Sequence, residues 1–548
     1  MWLAVVFGWV AHTAPMSVSG PAMVVSDHEE ASKAGAWVLD HGGNAADAAV
    51  AAALAAGVVQ PAGSGLGGGG FALVVLPGGE ATVLDFREVA PSAAHETMFQ
   101  DDRGTVRAGL SRKGGLAVGV PGEPAGLAEL SQAHGLLSHR VVVAPARRLA
   151  KGHEPGIRLL NAIEGTAHED VVELFSFRGQ SLDRGQLLRR PDLSRTLKRW
   201  AATGGQDFYT GRTSRMVVDA AEASGGVLSL SDMASYEVVE RAPLRGSFKG
   251  YTVLTMPPPS SGGLVLLQAL KVLESADLES LGHNSSAYIH RVAEALKHGF
   301  ADRAHHMGDP DFVDVPVERL LSEERVKTIR DAFQPDGTLP AVSYGEPIAS
   351  PKDAGTQHIS VLDASGGAVA LTTTINTSFG SGVVAEGTGV ILNNEMDDFV
   401  AAPGVPNAYG LIGNAANAVE AGKRPLSSMS PTVVLDAEGR VVLVAGASGG
   451  SHIISATLQV ILSVLEFGMD PQEAVAATRF HHQWQPETLW IEPSVPMDVR
   501  LGLEARGHTL YVAPDYASVQ VIVRAEETLR GGADPRKGGW PAASYGSR

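Results

Sequence analysis

Residues 356–377 read TQHISVLDASGGAVALTTTINT. HISVLD (His358–Asp363) alternates in polarity, Gly366-Gly367 is a turn pair, and AVALTTTINT (Ala368–Thr377) is rich in β-branched residues. This is the pattern of a β-hairpin that begins at Thr356. A second strand pair is predicted at Val433–Leu435 and Val441–Val444, around an Asp436–Gly439 turn. Upstream, Ser26–Val59 reads as two helices broken at His41-Gly42-Gly43-Asn44, with Asn44 capping the alanine-rich run Ala45–Ala56. Ser64–Gly70 (SGLGGGG) then leads into an apolar strand, Phe71–Leu76. Residues 120–340 are mostly helical in pattern, with an amphipathic face on Ser285–His306 that ends at Gly308-Asp309-Pro310. Strands flanked by helical segments predict a layered sandwich of sheets and helices.

Composition narrows the function. The 548 residues, 44% hydrophobic and 19% charged, are ordinary for a globular protein and support a large core. Length alone suggests three or four domains, but no segment has the composition of a linker. A net charge of −17 argues against nucleic-acid binding, which needs a basic face. The absence of cysteine excludes disulfides, thiolate metal sites and a cysteine nucleophile. Met1–Val10 (MWLAVVFGWV) is apolar and is read, with the small residues to Ala22, as an export signal. It lacks a preceding Lys or Arg, and the competing reading is a folded chain that starts near Met23. Ten apolar residues are too few for a membrane span, which needs about 20.

Two generic motifs need weighing. Gly446-Ala447-Ser448-Gly449-Gly450 matches the G-x-S-x-G nucleophile elbow, with His481 or His482 as a downstream partner. In a chain with 64 glycines such a pattern arises readily by chance, and a strand-to-helix turn is the simpler account. The G-x-G-x-x-G within Gly65–Gly70 follows a helix and precedes a strand, the reverse of the dinucleotide-binding order. The adjacent pairs His305-His306 and His481-His482 have poor spacing for metal, and satisfied or surface histidines are the expected reading.

The segment from Thr356 to Pro431 concentrates hydroxyls (Thr356, Thr374, Ser427, Ser428), an amide (Asn376) and carboxylates (Glu395, Asp397, Asp398). Composition alone reads these equally as a polar strand end and a solvated acidic loop. The chain, however, closely resembles the γ-glutamyltranspeptidases (γ-glutamyltransferases, glutathione hydrolases) of the N-terminal-nucleophile hydrolase superfamily. The likeness spans residues 23–548 and rests on GGNAADAAVAAAL, SGLGGGGF, DFREVAP (Asp85–Pro91), GVPGEPAGL, MPPPSSGG (Met256–Gly263), GDPDFV, the Thr356–Pro431 block, KRPLSSMSP within it, GASGGS, RFHHQW and DPR (Asp534–Arg536).

That resemblance implies an α+β, four-layer αββα sandwich. It implies a precursor that cleaves itself at Gly355–Thr356 into a large subunit (23–355) and a small subunit (356–548), which together form one heterodimeric domain. Thr356 would be the nucleophile, with Thr374 hydrogen-bonded to it and Gly449 and Gly450 as the oxyanion hole. Gln357 stands where many relatives have threonine or alanine, at a permissive position. Arg87, Ser427 and Ser428 would hold the substrate α-carboxylate, and Asn376, Glu395 and Asp398 its α-ammonium. Tyr409 would be the aromatic residue of a lid loop. The implied reaction is ping-pong transfer of a γ-glutamyl group from glutathione or a γ-glutamyl amide to water, an amino acid or a peptide, without cofactor or metal. The alternatives are a glutaryl β-lactam acylase, a poly-γ-glutamate depolymerase, or an inactive, unprocessed homologue used for binding. Retention of both acids favours an α-amino acid substrate.

Overall fold

A computed structural model describes residues 17–176, 181–345, 355–402, 405, 407–411, 413, 415–515 and 517–546. The predicted hairpin forms: Gln357–Leu362 pairs antiparallel with Ala368–Thr374, Gln357 opposite Thr373. It lies at the centre of a seven-stranded antiparallel sheet ordered Trp540–Ser544, Ala22–Ser26, Gln357–Leu362, Ala368–Thr374, Gly69–Val75, Ala81–Phe86 and Val239–Arg241. A second seven-stranded antiparallel sheet runs Val18–Gly20, Thr528–Ala533, Ser518–Ala525, Val441–Ser448, Thr432–Leu435, Tyr251–Thr255 and Leu244–Phe248.

Side-chain alternation explains the layering. Met23, Val25, Phe71, Leu73 and Ala370 point into a core shared with Leu443, Ala445, Val519 and Val521 of the second sheet. Val24, Ala72, Val74, Ile359 and Leu371 point the other way, onto the helices Glu29–Asp40 and Ala45–Val59. The second sheet is covered on its outer face by Gly262–Leu273, His452–Leu465 and Pro471–Ala476. The result is helix, sheet, sheet, helix, the αββα sandwich. Ala45–Val59 starts at a capping box made by Asn44 and Asp47, and its alanines lie almost wholly buried.

The boundaries differ from expectation in three places. The strand after the glycine run starts at Gly69, because Gly69 and Gly70 pair with Thr374 and Thr373. Its partner ends at Thr374 rather than Thr377, since Asn376 turns the chain with φ 74°. Val18–Gly20, assigned from sequence to the leader, pairs with Leu529–Gly531, and Ala22 begins the next strand. The apolar Met1–Val10 lies outside the described residues, and none of the described helices is long and apolar enough to cross a membrane.

The glycine run is a close-packed wall. The Gly68 carbonyl accepts the N–H groups of Gly122 and Glu123 (both 2.8 Å), and a Cβ on Gly68 would collide with the Thr374 carbonyl oxygen. Gly68→Ala should therefore displace the strand that carries Thr374, at a cost of about 1–3 kcal/mol. A lowered denaturation midpoint is the expected readout.

Candidate functional site

Thr356 stands at the head of the central hairpin, with its peptide bond to Gly355 held on both sides. Its Oγ1 donates to the Gly355 carbonyl oxygen (2.5 Å) and lies 3.2 Å from Thr374 Oγ1. Thr374 Oγ1 donates to the same carbonyl (2.9 Å) and accepts from the Asn376 N–H (2.8 Å). Thr374 is one position past the Gln357–Thr373 pair in the hairpin register, which puts its hydroxyl beside Thr356. The strand start is fixed by Asp27, whose Oδ2 accepts the His358 N–H (3.0 Å). A hydroxyl pressed against a carbonyl that a second hydroxyl already polarises is suited to nucleophilic acyl chemistry.

One cavity of about 280 Å³ opens at this point. It is lined by Arg87, Thr356, Thr374, Asn376, Glu395, Asp398, Tyr409, Ser427, Ser428 and Gly450, together with Leu411, Met429 and Ile453. Every residue expected at the site is thus gathered except Gly449, which adjoins Gly450 in the turn between Val441–Ser448 and His452–Leu465. That turn needs glycine. Gly450 has φ 55°, and a Cβ there would strike the Tyr409 ring. Ser448 faces away, its Oγ accepting from Lys537 Nζ (2.7 Å), so the serine elbow has no part in the cavity.

Arg87 leaves its strand end at full burial. It donates to Glu395 Oε1, to Asp398 Oδ2 (2.5 Å) and through Nε to the Pro425 carbonyl (3.1 Å). The groups expected to bind the two ends of a zwitterion therefore neutralise one another here. Burial raises the pKa of Glu395 and of Asp398, against the pull of Arg87. Asp397, two residues on from Glu395, is instead structural: it accepts from Ser111 Oγ (2.5 Å) and the Ala408 N–H (2.7 Å).

Sequence reasoning missed Glu88. It follows Arg87 in the DFREVAP motif, is completely buried, and neither carboxyl oxygen has a standard hydrogen-bond partner. Burial and the neighbouring Glu395 push its pKa well up, which favours the protonated form of this acid in the folded protein. The only signal was its place inside the motif.

Also missed was a second cavity of about 430 Å³, lined by Gly355 and Thr356 with Asp27, Gln60, Arg158, Gln357, Ser378 and Lys537. Lys537 is buried, and that burial lowers its pKa to about 8. Among the described residues, His290, Glu294 and His508 place three possible ligand atoms within 4.8 Å of one another. There the histidines hydrogen-bond to each other (2.7 Å), Lys297 bonds to Glu294 (3.3 Å), and none of the three lines either cavity.

Two facing antiparallel sheets between helical layers, with a threonine at the head of a central strand, constitute the N-terminal-nucleophile hydrolase fold. Within that class the chain belongs to the γ-glutamyltranspeptidase family: the family profile described as Gamma-glutamyltranspeptidase matches residues 31–544. The glutathione hydrolase proenzyme of Escherichia coli (strain K12) is 40% identical over 523 residues, covering 94% of this chain and 90% of that protein. Among solved structures, the cephalosporin acylase from Bacillus halodurans superposes with TM-score 0.84 at 28% identity, covering 98% of this chain and 99% of that one. The Helicobacter pylori gamma-glutamyltranspeptidase has TM-score 0.58 at 39% identity, over 61% of this chain and 97% of that one.

The Glu88 carboxyl gives a pH test. A carboxyl whose pKa is raised on folding binds its proton more tightly in the folded state, so stability is lost as pH climbs above the unfolded value of about 4.3. Glu88→Gln keeps the shape of the protonated acid and removes this loss. Its stability gain over wild type should grow as pH rises above about 4.3, as measured by denaturant titration.

Proposed function

We propose that the protein is a self-processing γ-glutamyltransferase and glutathione hydrolase, and that Thr356 is its nucleophile. The observation that carries this reading is the shared grip of Thr356 and Thr374 on the Gly355 carbonyl oxygen. In the precursor, Thr356 Oγ1 attacks the Gly355 carbonyl carbon and Thr374 stabilises the oxyanion. The C–N bond breaks, the freed amine takes the proton, and an ester remains that water hydrolyses. The products are a subunit ending at Gly355 and one starting at Thr356.

The new α-amino group of Thr356, with an ordinary pKa of about 7.7, then serves as base for its own hydroxyl. Thr356 takes the γ-glutamyl group as an ester while the turn at Gly449-Gly450 offers N–H groups to the oxyanion, a stabilisation of ~3 kcal/mol per donor. The substrate zwitterion replaces the internal pairing of the pocket. Its carboxylate turns to Arg87, Ser427 and Ser428, and its ammonium to Glu395, Asp398 and Asn376. Two acids beside Arg87 favour γ-glutamyl over glutaryl donors, although the Bacillus halodurans acylase shares the fold.

Glutathione suits the far side of the nucleophile as well. Its leaving group, cysteinylglycine, carries a carboxylate. The second cavity offers the Lys537 ammonium, which among the described residues bonds only to Ser448 Oγ (2.7 Å), and the Arg158 guanidinium, which among them bonds only to the Lys537 carbonyl (3.2 Å). An exported precursor fits the apolar Met1–Val10 start.

Denaturing gels of the purified protein should show two bands in place of the 57.0 kDa chain. Thr356→Ala should show one band and lose at least about 10³-fold in kcat/KM. Cleavage of that variant, or faster hydrolysis of glutaryl than of γ-glutamyl p-nitroanilide by wild type, would sink this assignment. Lys537→Ala should raise KM for glutathione about tenfold and leave KM for γ-glutamyl p-nitroanilide, whose leaving group has no carboxylate, unchanged.

A further inference from the structure

The RFHHQW motif (Arg479–Trp484) lies outside the chemistry assigned above, yet one of its residues reaches the cavity's roof. Tyr409 forms that roof. Its ring packs on Gly450, and its hydroxyl donates to the Asn376 carbonyl (2.8 Å). The turn that carries it is held internally by Asn407. Asn407 Oδ1 accepts the N–H groups of Tyr409 (3.0 Å) and Leu411 (3.1 Å), and its carbonyl accepts that of Gly410 (3.0 Å).

Two external anchors come from the acidic segment: Asn407 Nδ2 donates to Asp398 Oδ1 (3.0 Å), and the Ala408 N–H donates to Asp397 Oδ2 (2.7 Å). Both hold the same edge of the turn. Gln483 Nε2 faces three carbonyls, donating to Gln485 (3.2 Å) and, in the turn itself, to Gly410 (3.3 Å) and Tyr409 (3.4 Å). The other end of the same amide is fixed. Gln483 Oε1 accepts from Ser451 Oγ (2.6 Å), the residue that follows Gly449-Gly450, and lies 3.0 Å from His481 Nε2. His481 in turn stacks on His452, which bonds to Asp515 Oδ1 (2.9 Å). The amide is buried, so both of its ends must find partners and its orientation is dictated: oxygen toward Ser451, nitrogen toward the Tyr409 turn.

We infer that Gln483 is a positioning residue that locks the Tyr409 turn to the Gly449-Gly450 turn, so that the roof of the cavity and its oxyanion wall keep one spacing. Each contact is modest by itself. Their effect is to order Tyr409 over the bound acyl group before substrate arrives, which lowers the entropy lost on binding. The role rests on the reading that the cavity at Thr356 binds the γ-glutamyl donor.

The test is a double-mutant cycle on γ-glutamyl p-nitroanilide hydrolysis with Gln483→Met, Tyr409→Ala and the double variant. Self-cleavage on gels checks that each has folded. Gln483→Met is expected to raise KM about fivefold with kcat within about twofold. In the Tyr409→Ala background it should add nothing, because its action passes through Tyr409. An unchanged KM, or the same fivefold rise in both backgrounds, overturns the inference. If Gln483→Met fails to self-cleave, Ser451→Ala frees the same amide from its other side and is held to the same two outcomes. A wild type without γ-glutamyl turnover would sink the reading of the site; a fully active wild type with insensitive Gln483 variants would sink only this role.

Discussion

Everything in this molecule turns on one carbonyl group held between two threonine hydroxyls. Thr356 and Thr374 both donate to the Gly355 oxygen, and they do so from neighbouring strands of one hairpin whose register leaves no freedom. A slip of one residue would send Thr374 to the opposite face of the sheet. Asp27 pins one strand by accepting the His358 N–H, and the glycine wall pins the other by lying against the Thr374 backbone.

The same constraint accounts for how the chain is woven. Both seven-stranded sheets mix strands from before and after Gly355. In the first, Gln357–Leu362 lies between Ala22–Ser26 and Ala368–Thr374; in the second, Thr432–Leu435 pairs with Tyr251–Thr255. A cut at that bond would leave the hydrogen-bonded ladders and the common core intact. The cavity walls are likewise drawn from both sides of the bond, Arg87 from one and Glu395, Asp398 and Ser427 from the other.

Charge shows a second economy. Arg87, Glu395 and Asp398 are buried together, and a buried unpaired charge among them would be costly. The cluster solves this by pairing internally, while burial and Glu395 raise the pKa of Glu88. On the function proposed above, a zwitterion suits such a site because it brings both signs at once, so partners are exchanged with no net change in buried charge. A glutaryl group, which carries only the negative end, would leave the two acids facing each other.

Much of this was legible in the residues. The hairpin, the broken helix pair at HGGN, the long helix from Ser285 and the second strand pair follow from periodicity, turn glycines and caps, which are local properties. The pairing of Gly69 and Gly70 into a strand was not, because glycine has no strand preference and only the partner at Thr373–Thr374 decides it. The site residues were recognised by motif, but their arrangement came from tertiary structure. Glu88 and Asp397 are the clearest cases. Two acids alike in sequence proved to be a neighbour of the pocket with a raised pKa and a structural clamp, since burial and partners, not residue type, set a carboxyl's role. Lys537 and Gln483 lie 181 and 127 positions beyond Thr356 in the sequence. No spacing rule connects them to it; only tertiary packing brings them into the surroundings of Thr356. The sequence by itself determined the elements and the hydroxyl at the hairpin's head, because those depend on neighbours in the chain. What that hydroxyl touches depended on contacts between distant segments, and those exist only in the folded molecule.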